Sequence, residues 1–232
     1  MSEPVWHLVE QQAKLQAQSL RGAVNLLEPV HGLCDVQIGS ERAAGEFLGV
    51  AVAGVNSAAG SNAEAYQRGA DLIATYAQTS ERPYRVQVYW RAHRPETPHV
   101  LAAVELIVSV QTSLLDSRPE LTIGSRFDGG KSAAIESLPA PRGEYRLARL
   151  SPQLSYAQMV HPLDTHDTTW SADTSTASGL GTLRHRLFAM PLEKGVILRA
   201  RVLGVWLDPA GDMAAAAEQY RAFAASEPAL TT

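Results

Sequence analysis

The stretch Thr182–Asp208 constrains the fold of this 232-residue chain more than any other segment. It reads TLRHRLFAMPLEKGVILRARVLGVWLD, and it contains two segments with strand-like alternation. Between them lies Leu192–Gly195, where glycine can supply the unusual backbone angles of a tight turn. The pattern predicts a long antiparallel β-hairpin, and it defines the fold class better than it defines the function.

Alternation of apolar and polar residues recurs along the chain. In Arg85–Arg91, the residues Val86, Val88 and Trp90 fall on one face. A period of two indicates a strand with one buried side. Residues 70–78 form a second predicted strand that can pair with this one as a hairpin. Further strands are predicted at residues 100–115, 121–127, 145–150 and 155–160, although residues 101–106 also fit a helix.

The first third of the chain fits two structures. Residues 6–10 and 13–17 alternate, which favours strands, although Leu8 and Leu15 lie seven residues apart and also fit a helix. Two more strands are predicted around residues 36–38 and 47–52. Loops are predicted where Gly, Pro, Ser, Thr and Asn cluster, at residues 57–62, 132–143 and 164–181.

One helix is predicted, at the end of the chain. The Ala-rich segment Met213–Ala225 follows Asp212, which we expect to cap the helix. Residues Met213, Ala216, Tyr220 and Phe223 have helical spacing and are expected to pack on a sheet. With no repeat or linker, the chain is predicted to be a single domain over residues 1–232. We expect an all-β, antiparallel β-sandwich with a C-terminal helix at about 212–225.

Composition excludes several classes of function. The net charge of −4 does not suit a broad basic surface for nucleic acid. The N-terminus lacks signal-peptide features and no apolar run approaches the ~20 residues of a membrane span, so a cytoplasmic protein without a membrane partner is expected. Nucleotide, zinc and hydrolase motifs are absent from the sequence, and no cofactor is predicted. The single cysteine, Cys34, is expected to be a buried, inert thiol.

The richest polar cluster is His161–Asp167, at the end of a predicted strand. It includes His161, Asp164 and His166. Imidazole and carboxylate groups serve as general acids and bases and as metal ligands. The cluster is therefore consistent with a surface turn in which Asp caps the backbone, with an acid/base site acting on a sugar, or with a metal site.

Arginines form a second cluster on the predicted hairpin. Arg184 and Arg186 share one face of the first strand, and Arg199 and Arg201 share one face of the second. If these strands pair, several guanidinium groups line one side of a sheet, where they can bind carboxylates, phosphates or sugar hydroxyls. The alternative is a solvated outer face with surface ion pairs.

A third group of candidates ends the strand at residues 85–91. Arg91 and His93 lie beside Tyr89 and Trp90, and aromatic rings with adjacent hydrogen-bond donors suit a sugar ligand. Trp90 is expected in the core, which leaves Tyr89 as the freer aromatic. Glu193, in the predicted turn, is either a base or half of an exposed pair with its neighbour. Structural or exposed roles are expected for the histidines at positions 7, 31 and 99.

The long strands, the strand-end histidines and the carboxylate before the strand at 196–207 resemble the galactose-mutarotase-like β-supersandwich proteins. The resemblance implies a histidine that acts as acid and a glutamate that acts as base on a bound sugar. The nearest candidates are His161 or His93 and Glu193. The implied ligand contacts are Arg91, Tyr89, Arg186, Arg199, Asp164 and His166.

The expected function is therefore carbohydrate binding, or epimerase- or lyase-type chemistry on a sugar. One alternative is a non-catalytic structural or interaction module. Another is a metal-dependent hydrolase that uses His161, Asp164 and His166. The sequence does not define the oligomeric state.

Overall fold

A computed structural model describes residues 5–52, 63–80, 82–128, 135–140, 143–164, 169–175 and 180–227. Within these ranges, one helix, α1 (Asp212–Ala225), follows nineteen strands. In chain order the strands are β1 (Trp6–Val9), β2 (Gln12–Ala17), β3 (Leu20–Asn25), β4 (Leu33–Ile38), β5 (Glu41–Ala43), β6 (Gly45–Val52), β7 (Glu64–Arg68), β8 (Asp71–Tyr76), β9 (Arg85–His93), β10 (Val100–Gln111), β11 (Asp116–Ser117), β12 (Leu121–Asp128), β13 (Ile135–Ala140), β14 (Gly143–Ser151), β15 (Leu154–Val160), β16 (Thr169–Ser175), β17 (Leu180–Leu187), β18 (Leu192–Glu193) and β19 (Ile197–Leu207). Short 3-10 turns lie at Pro29–His31 and Pro162–Asp164.

Two large sheets pack face to face. The described strands of the first sheet follow the order β1-β2-β3-β4-β6-β12-β17-β16, with β5 on β4, and those of the second follow β13-β14-β15-β19-β10-β9-β8-β7. Apolar residues of both sheets interdigitate between them, and the rings of Phe47 and Trp206 meet edge to face at 5.3 Å. The predicted antiparallel β-sandwich with a C-terminal helix is confirmed.

Alternation predicted many strands correctly. β8 and β9 form the expected hairpin, with Trp90 fully buried in the core between the sheets. Residues 6–25 are strands joined by short turns, so the helical alternative for Leu8 and Leu15 is wrong. Residues 101–106 also belong to a strand, β10.

The predicted C-terminal hairpin is wrong. Strand β17 pairs with β12 and β16, whereas β19 pairs with β10 and β15 in the other sheet. The intervening β18 pairs with β11 in a small separate ladder. Alternation indicates which face of a strand is buried, but it does not indicate which strand completes its hydrogen bonds.

Two predicted loops contain strands. Residues 132–143 include β13, and residues 164–181 include β16. Both strands lie at the edges of their sheets, where residues such as Pro139 are tolerated because one side of the backbone needs no partner. The predicted loop at 57–62 lies outside the described residues.

Helix α1 is confirmed, but its start differs from the prediction. Gly211 is the N-cap residue, and the buried Asp212 side chain instead accepts hydrogen bonds from Arg149 Nε at 3.1 Å and Ser155 Oγ at 2.8 Å. Met213 is exposed, and Ala215 is buried in its place. The apolar side of α1 covers part of the outer surface of the second sheet and encloses a second core there.

The sandwich therefore presents two different outer surfaces. The nine-strand face consists of the outward residues of β6, β12 and β17. The helix face consists of the outward residues of β8, β9, β10, β14, β15 and β19, and α1 packs along part of it. None of the described helices is long and apolar enough to cross a membrane.

Candidate functional site

The nine-strand face carries a shallow cavity of about 160 Å³, which we call the trough. Its floor is poor in side chains, since it includes Gly49, Ala51 and Gly124. Its rim is polar. The lining residues are Val30, His31, Glu46, Gly49, Ala51, Thr122, Gly124, Ser125, Arg126, Thr182 and Arg184.

A β-bulge in β6 shapes one side of the trough. Phe47 and Leu48 both lie opposite Ser125, and Leu48 has a positive φ of 56°. The Leu48 N–H donates to Ser125 Oγ at 3.1 Å. The extra residue lets both Phe47 and Leu48 point into the core, while Glu46 and Gly49 face outward.

Close packing of a 3-10 turn then places a histidine over this strand. A Cβ atom on Gly49 would lie only 1.9 Å from the Val30 carbonyl oxygen, so glycine is required for the turn to lie against β6. His31 Nδ1 is consequently 3.0 Å from Glu46 Oε1. Arg126 Nη2 donates to the same oxygen at 2.9 Å.

These groups leave hydrogen-bonding capacity for a ligand. When His31 is neutral and Nδ1–H donates to Glu46, its Nε2 is an acceptor, and no described residue bonds to Nε2. Arg184 adds an exposed guanidinium with no acidic partner among the described residues. The trough therefore offers guanidinium donors, a carboxylate and one group that can exchange a proton.

A second depression, of about 330 Å³, lies on the other side of Glu46 and Arg126. Cys34 lines it and is half-buried rather than buried. Burial, with a smaller contribution from the Glu46 carboxylate, raises the pKa of the thiol to about 11. Cys34 is therefore protonated at neutral pH, which does not suit a nucleophile.

The helix face carries a second polar arrangement across three strands. Arg91 forms two hydrogen bonds with Asp71, at 2.7 and 3.0 Å. Beside this pair, His93 Nε2 is 3.0 Å from Glu105 Oε2. A cleft of about 400 Å³ separates His93 and Glu105 from helix α1.

Tyr89 and Arg199 also lie on the helix face. Tyr89 lies outside the core that contains the fully buried Trp90, but it is itself only 7% exposed. Its ring packs with Ile73 and Ile107, and its hydroxyl donates to Gln87 Oε1 at 2.9 Å. Burial raises the pKa of the hydroxyl. Its ring face cannot receive a sugar in this conformation.

The described part of the predicted cluster at the end of β15, residues 161–164, lies near the C-terminal end of α1. His161 has no exposed surface and meets the ring of Phe223 edge to face at 5.2 Å. Burial and the nearby Arg201 lower the pKa of His161 to about 4. Asp164 accepts hydrogen bonds from Arg201, through the backbone N–H at 3.0 Å and Nε at 3.3 Å. His161 and Asp164 line none of the cavities described above.

The remaining predicted residues are dispersed. Arg186 lies on the nine-strand face but outside the trough, 3.5 Å from Glu120. Glu193 is exposed on β18, opposite Asp116. His166 lies outside the described residues. Because β17 and β19 belong to different sheets, Arg186 and Arg199 do not share the single face that the predicted hairpin required.

Several groups near the cavities were missed. Glu46 and Arg126 gave no sequence signal, because the contact between them depends on the bulge. His31 was expected to be structural or exposed, although Pro29 and Gly32 mark a turn at that point. Glu105 could have been found, since a lone acid inside an apolar strand requires a hydrogen-bonding partner. Among the described residues, no group of three or more His, Cys, Asp and Glu residues is arranged to hold a metal ion.

No protein-family model matches the chain, and no curated protein sequence matches it. Its fold is that of the galactose-mutarotase-like β-sandwich proteins, as the predicted resemblance in architecture implies. A suspected aldose 1-epimerase from Escherichia coli K12 matches 84% of this chain and 98% of its own, at 10% identity and a TM-score of 0.61. An α-N-acetylgalactosaminidase from Bifidobacterium bifidum, in complex with GalNAc, matches 94% of this chain at 11% identity and a TM-score of 0.55. The matched region covers only 38% of that enzyme, and at these identities the likeness concerns the fold alone.

Proposed function

We propose that the protein binds a carbohydrate in the trough of the nine-strand face. The observation that carries the proposal is the floor of Gly49, Ala51 and Gly124, which has polar groups on its rim. A sugar is a compact ring rich in hydroxyls, so it needs a surface that allows close approach and groups that form directed hydrogen bonds. Glu46 can accept such bonds, while Arg126 and Arg184 can donate them.

The structural neighbours support the same ligand class by analogy. One is described as a suspected aldose 1-epimerase, and the other is described in complex with an amino sugar. Their likeness to this chain is one of fold, and a fold hosts many functions. The specific support comes from the trough itself.

The arrangement favours binding over epimerase-type turnover. Acid/base chemistry on a sugar uses an acid and a base at separate positions on the ring. In the trough, Glu46 Oε1 is already engaged by His31 and Arg126. The carboxylate that would act as a base is therefore already held by two neighbouring side chains, and the function we assign is recognition.

A substitution series at Gly124 tests the proposal. A Cβ atom there would lie 3.6 Å from Leu183 O and 3.8 Å from Arg184 Cγ, which are ordinary contacts, so the strand can accept a side chain. NMR titration of the wild type with galactose, glucose, N-acetylgalactosamine and galacturonate first selects the sugar that binds. We expect G124A to weaken binding of this sugar and G124V to abolish it. Both variants should keep the wild-type circular dichroism spectrum.

The matched control is R186Q, which changes an exposed residue outside the trough. It should bind the selected sugar as the wild type does. If none of the four sugars binds at high millimolar concentration, or if G124V binds as tightly as the wild type, the trough is not a carbohydrate site.

A further inference from the structure

We propose a second ligand site, in the cleft between helix α1 and the helix face. It binds a small, neutral, largely apolar molecule whose hydroxyl group donates a hydrogen bond to His93 Nδ1. This inference is independent of the carbohydrate site, which lies on the other sheet.

The cleft has the composition of a small-molecule pocket. Its volume is about 400 Å³. Apolar side chains from β10, β19 and α1 line much of it, namely those of Val100, Ala103, Leu203, Ala222 and Phe223. Polar and charged residues complete the lining, namely His93, Arg94, Glu96, Thr97, Glu105, Gln219 and Ser226. Pockets that combine apolar side chains with placed polar groups are typical of small-molecule sites.

The buried carboxylate of Glu105 is the feature that a purely structural account explains least well. Glu105 lies on β10, which pairs with strands on both sides, and it is 6% exposed. Burying a charged pair rarely stabilises a protein more than a well-packed apolar pair would. The side chain of its partner, His93, is 41% exposed, so this pair does not seal a core. It holds an accessible imidazole at the mouth of the cleft.

Glu105 also fixes which ring nitrogen of His93 is free. An ionised carboxylate only accepts hydrogen bonds, so a neutral His93 must carry its proton on Nε2, 3.0 Å from Glu105 Oε2. Nδ1 is then an acceptor, and no described residue bonds to it. This makes Glu105 a positioning residue for a hydrogen-bond acceptor in the cleft.

The local charges favour a neutral ligand. The guanidinium of Arg91 is bound by Asp71 and that of Arg201 by Asp164, so the charge of Glu105 repels an anion. Arg94 and Glu96, which also line the cleft, have opposite charges. A phenol-like molecule meets these conditions, because it has an apolar body and one hydroxyl proton to donate.

The test compares p-cresol with 4-methylanisole, which has nearly the same shape but lacks the hydroxyl proton. In NMR titrations of the full chain, p-cresol should shift amide signals around Ala103 and Leu203 and bind about tenfold more tightly than 4-methylanisole, as one net hydrogen bond implies. The anion p-toluate should bind more weakly than p-cresol. Long-range proton–nitrogen spectra should show His93 protonated on Nε2.

Variants separate the site from general surface effects. Ala222 lines the cleft and is exposed on α1, so A222L should obstruct the cleft and weaken p-cresol binding at least about tenfold. Ala214 is exposed on the same helix but does not line the cleft, and A214L should bind normally. In H93F/E105L, both partners become apolar, so folding is retained and the preference for p-cresol over 4-methylanisole should disappear.

Equal binding of p-cresol and 4-methylanisole to the wild type would overturn the proposal, as would a His93 protonated on Nδ1. Absence of any shift around the cleft at the solubility limit of p-cresol would also overturn it. None of these results would affect the trough, where binding is measured with sugars and with variants of another sheet.

Discussion

Each outer face of the sandwich carries a histidine 3.0 Å from a glutamate, but the two pairs have different surroundings. On the nine-strand face, the Glu46 side chain is 27% exposed and is shared with Arg126. On the helix face, the Glu105 side chain is 8% exposed, and it lies near the buried ion pair of Arg201 and Asp164. Exposed polar groups are available to a ligand and contribute little to stability. Buried charged groups need partners that offset the cost of their desolvation, or the chain does not fold.

The largest expected difference is in stability after the loss of an arginine from each face. In R201M, the Asp164 carboxylate loses its buried partner, so we expect a decrease in the free energy of unfolding of about 3–5 kcal/mol. In R126M, the lost pair is largely exposed, and the decrease should stay below about 1 kcal/mol. Urea unfolding followed by circular dichroism measures both. Equal decreases would show that the two faces do not differ in the way described.

Acid should destabilise the protein through its buried histidines. Burial lowers the pKa of both His161 and His185 to about 4, against about 6.5 in the unfolded chain. Between these values the unfolded state binds more protons, so this stability is complete above pH 6.5 and decreases as the pH falls towards 4. The loss should reach roughly 2–3 kcal/mol for each histidine.

The variant H161L isolates the contribution of the helix face to this pH dependence. It should make the unfolding free energy depend less steeply on pH between 6.5 and 4. H185L should remove the other contribution, that of the histidine buried between the two sheets. Urea titrations at a series of pH values provide the measurement. A slope in H161L as steep as in the wild type would mean that His161 does not remain neutral in the folded protein.

The smallest effects on stability are expected from substitution of two exposed arginines on β17, of which only one should affect binding. Arg184 lines the trough, whereas Arg186 lies two residues further on the same face and outside it. We expect R184Q to weaken binding of the selected sugar about tenfold, and R186Q to leave it within about twofold. Both should change the unfolding free energy by less than about 0.5 kcal/mol. Calorimetric titration measures the affinities, and equal losses in the two variants would remove Arg184 from the site.

The sequence was most informative where structure depends on neighbouring residues. Alternation in Arg85–Arg91 correctly placed Trp90 in the core, and the Ala-rich segment correctly predicted α1. It was least informative where partners are distant in the chain. The assignment of β17 and β19 to different sheets depends on pairing with β12 and β10, which local periodicity does not encode.

The candidate sites show the same limit. His93 was a predicted site residue, but its partner Glu105 is brought close by the register of β9 and β10. The trough depends on the bulge at Leu48 and on the packing of a turn against Gly49. Neither feature has a signature in one sequence, so Glu46 and His31 were not predicted.

Mapping of sugar binding by NMR tests the central claim most directly. The uniformly labelled full chain is titrated with galactose, glucose, N-acetylgalactosamine and galacturonate in turn, and amide shifts are placed on the two faces. The account predicts that at least one sugar shifts the signals of Gly49, Thr122 and Gly124, with those of Ala103 and Leu203 unchanged. Shifts confined to the helix face, or no shifts with any sugar at high millimolar concentration, would contradict it.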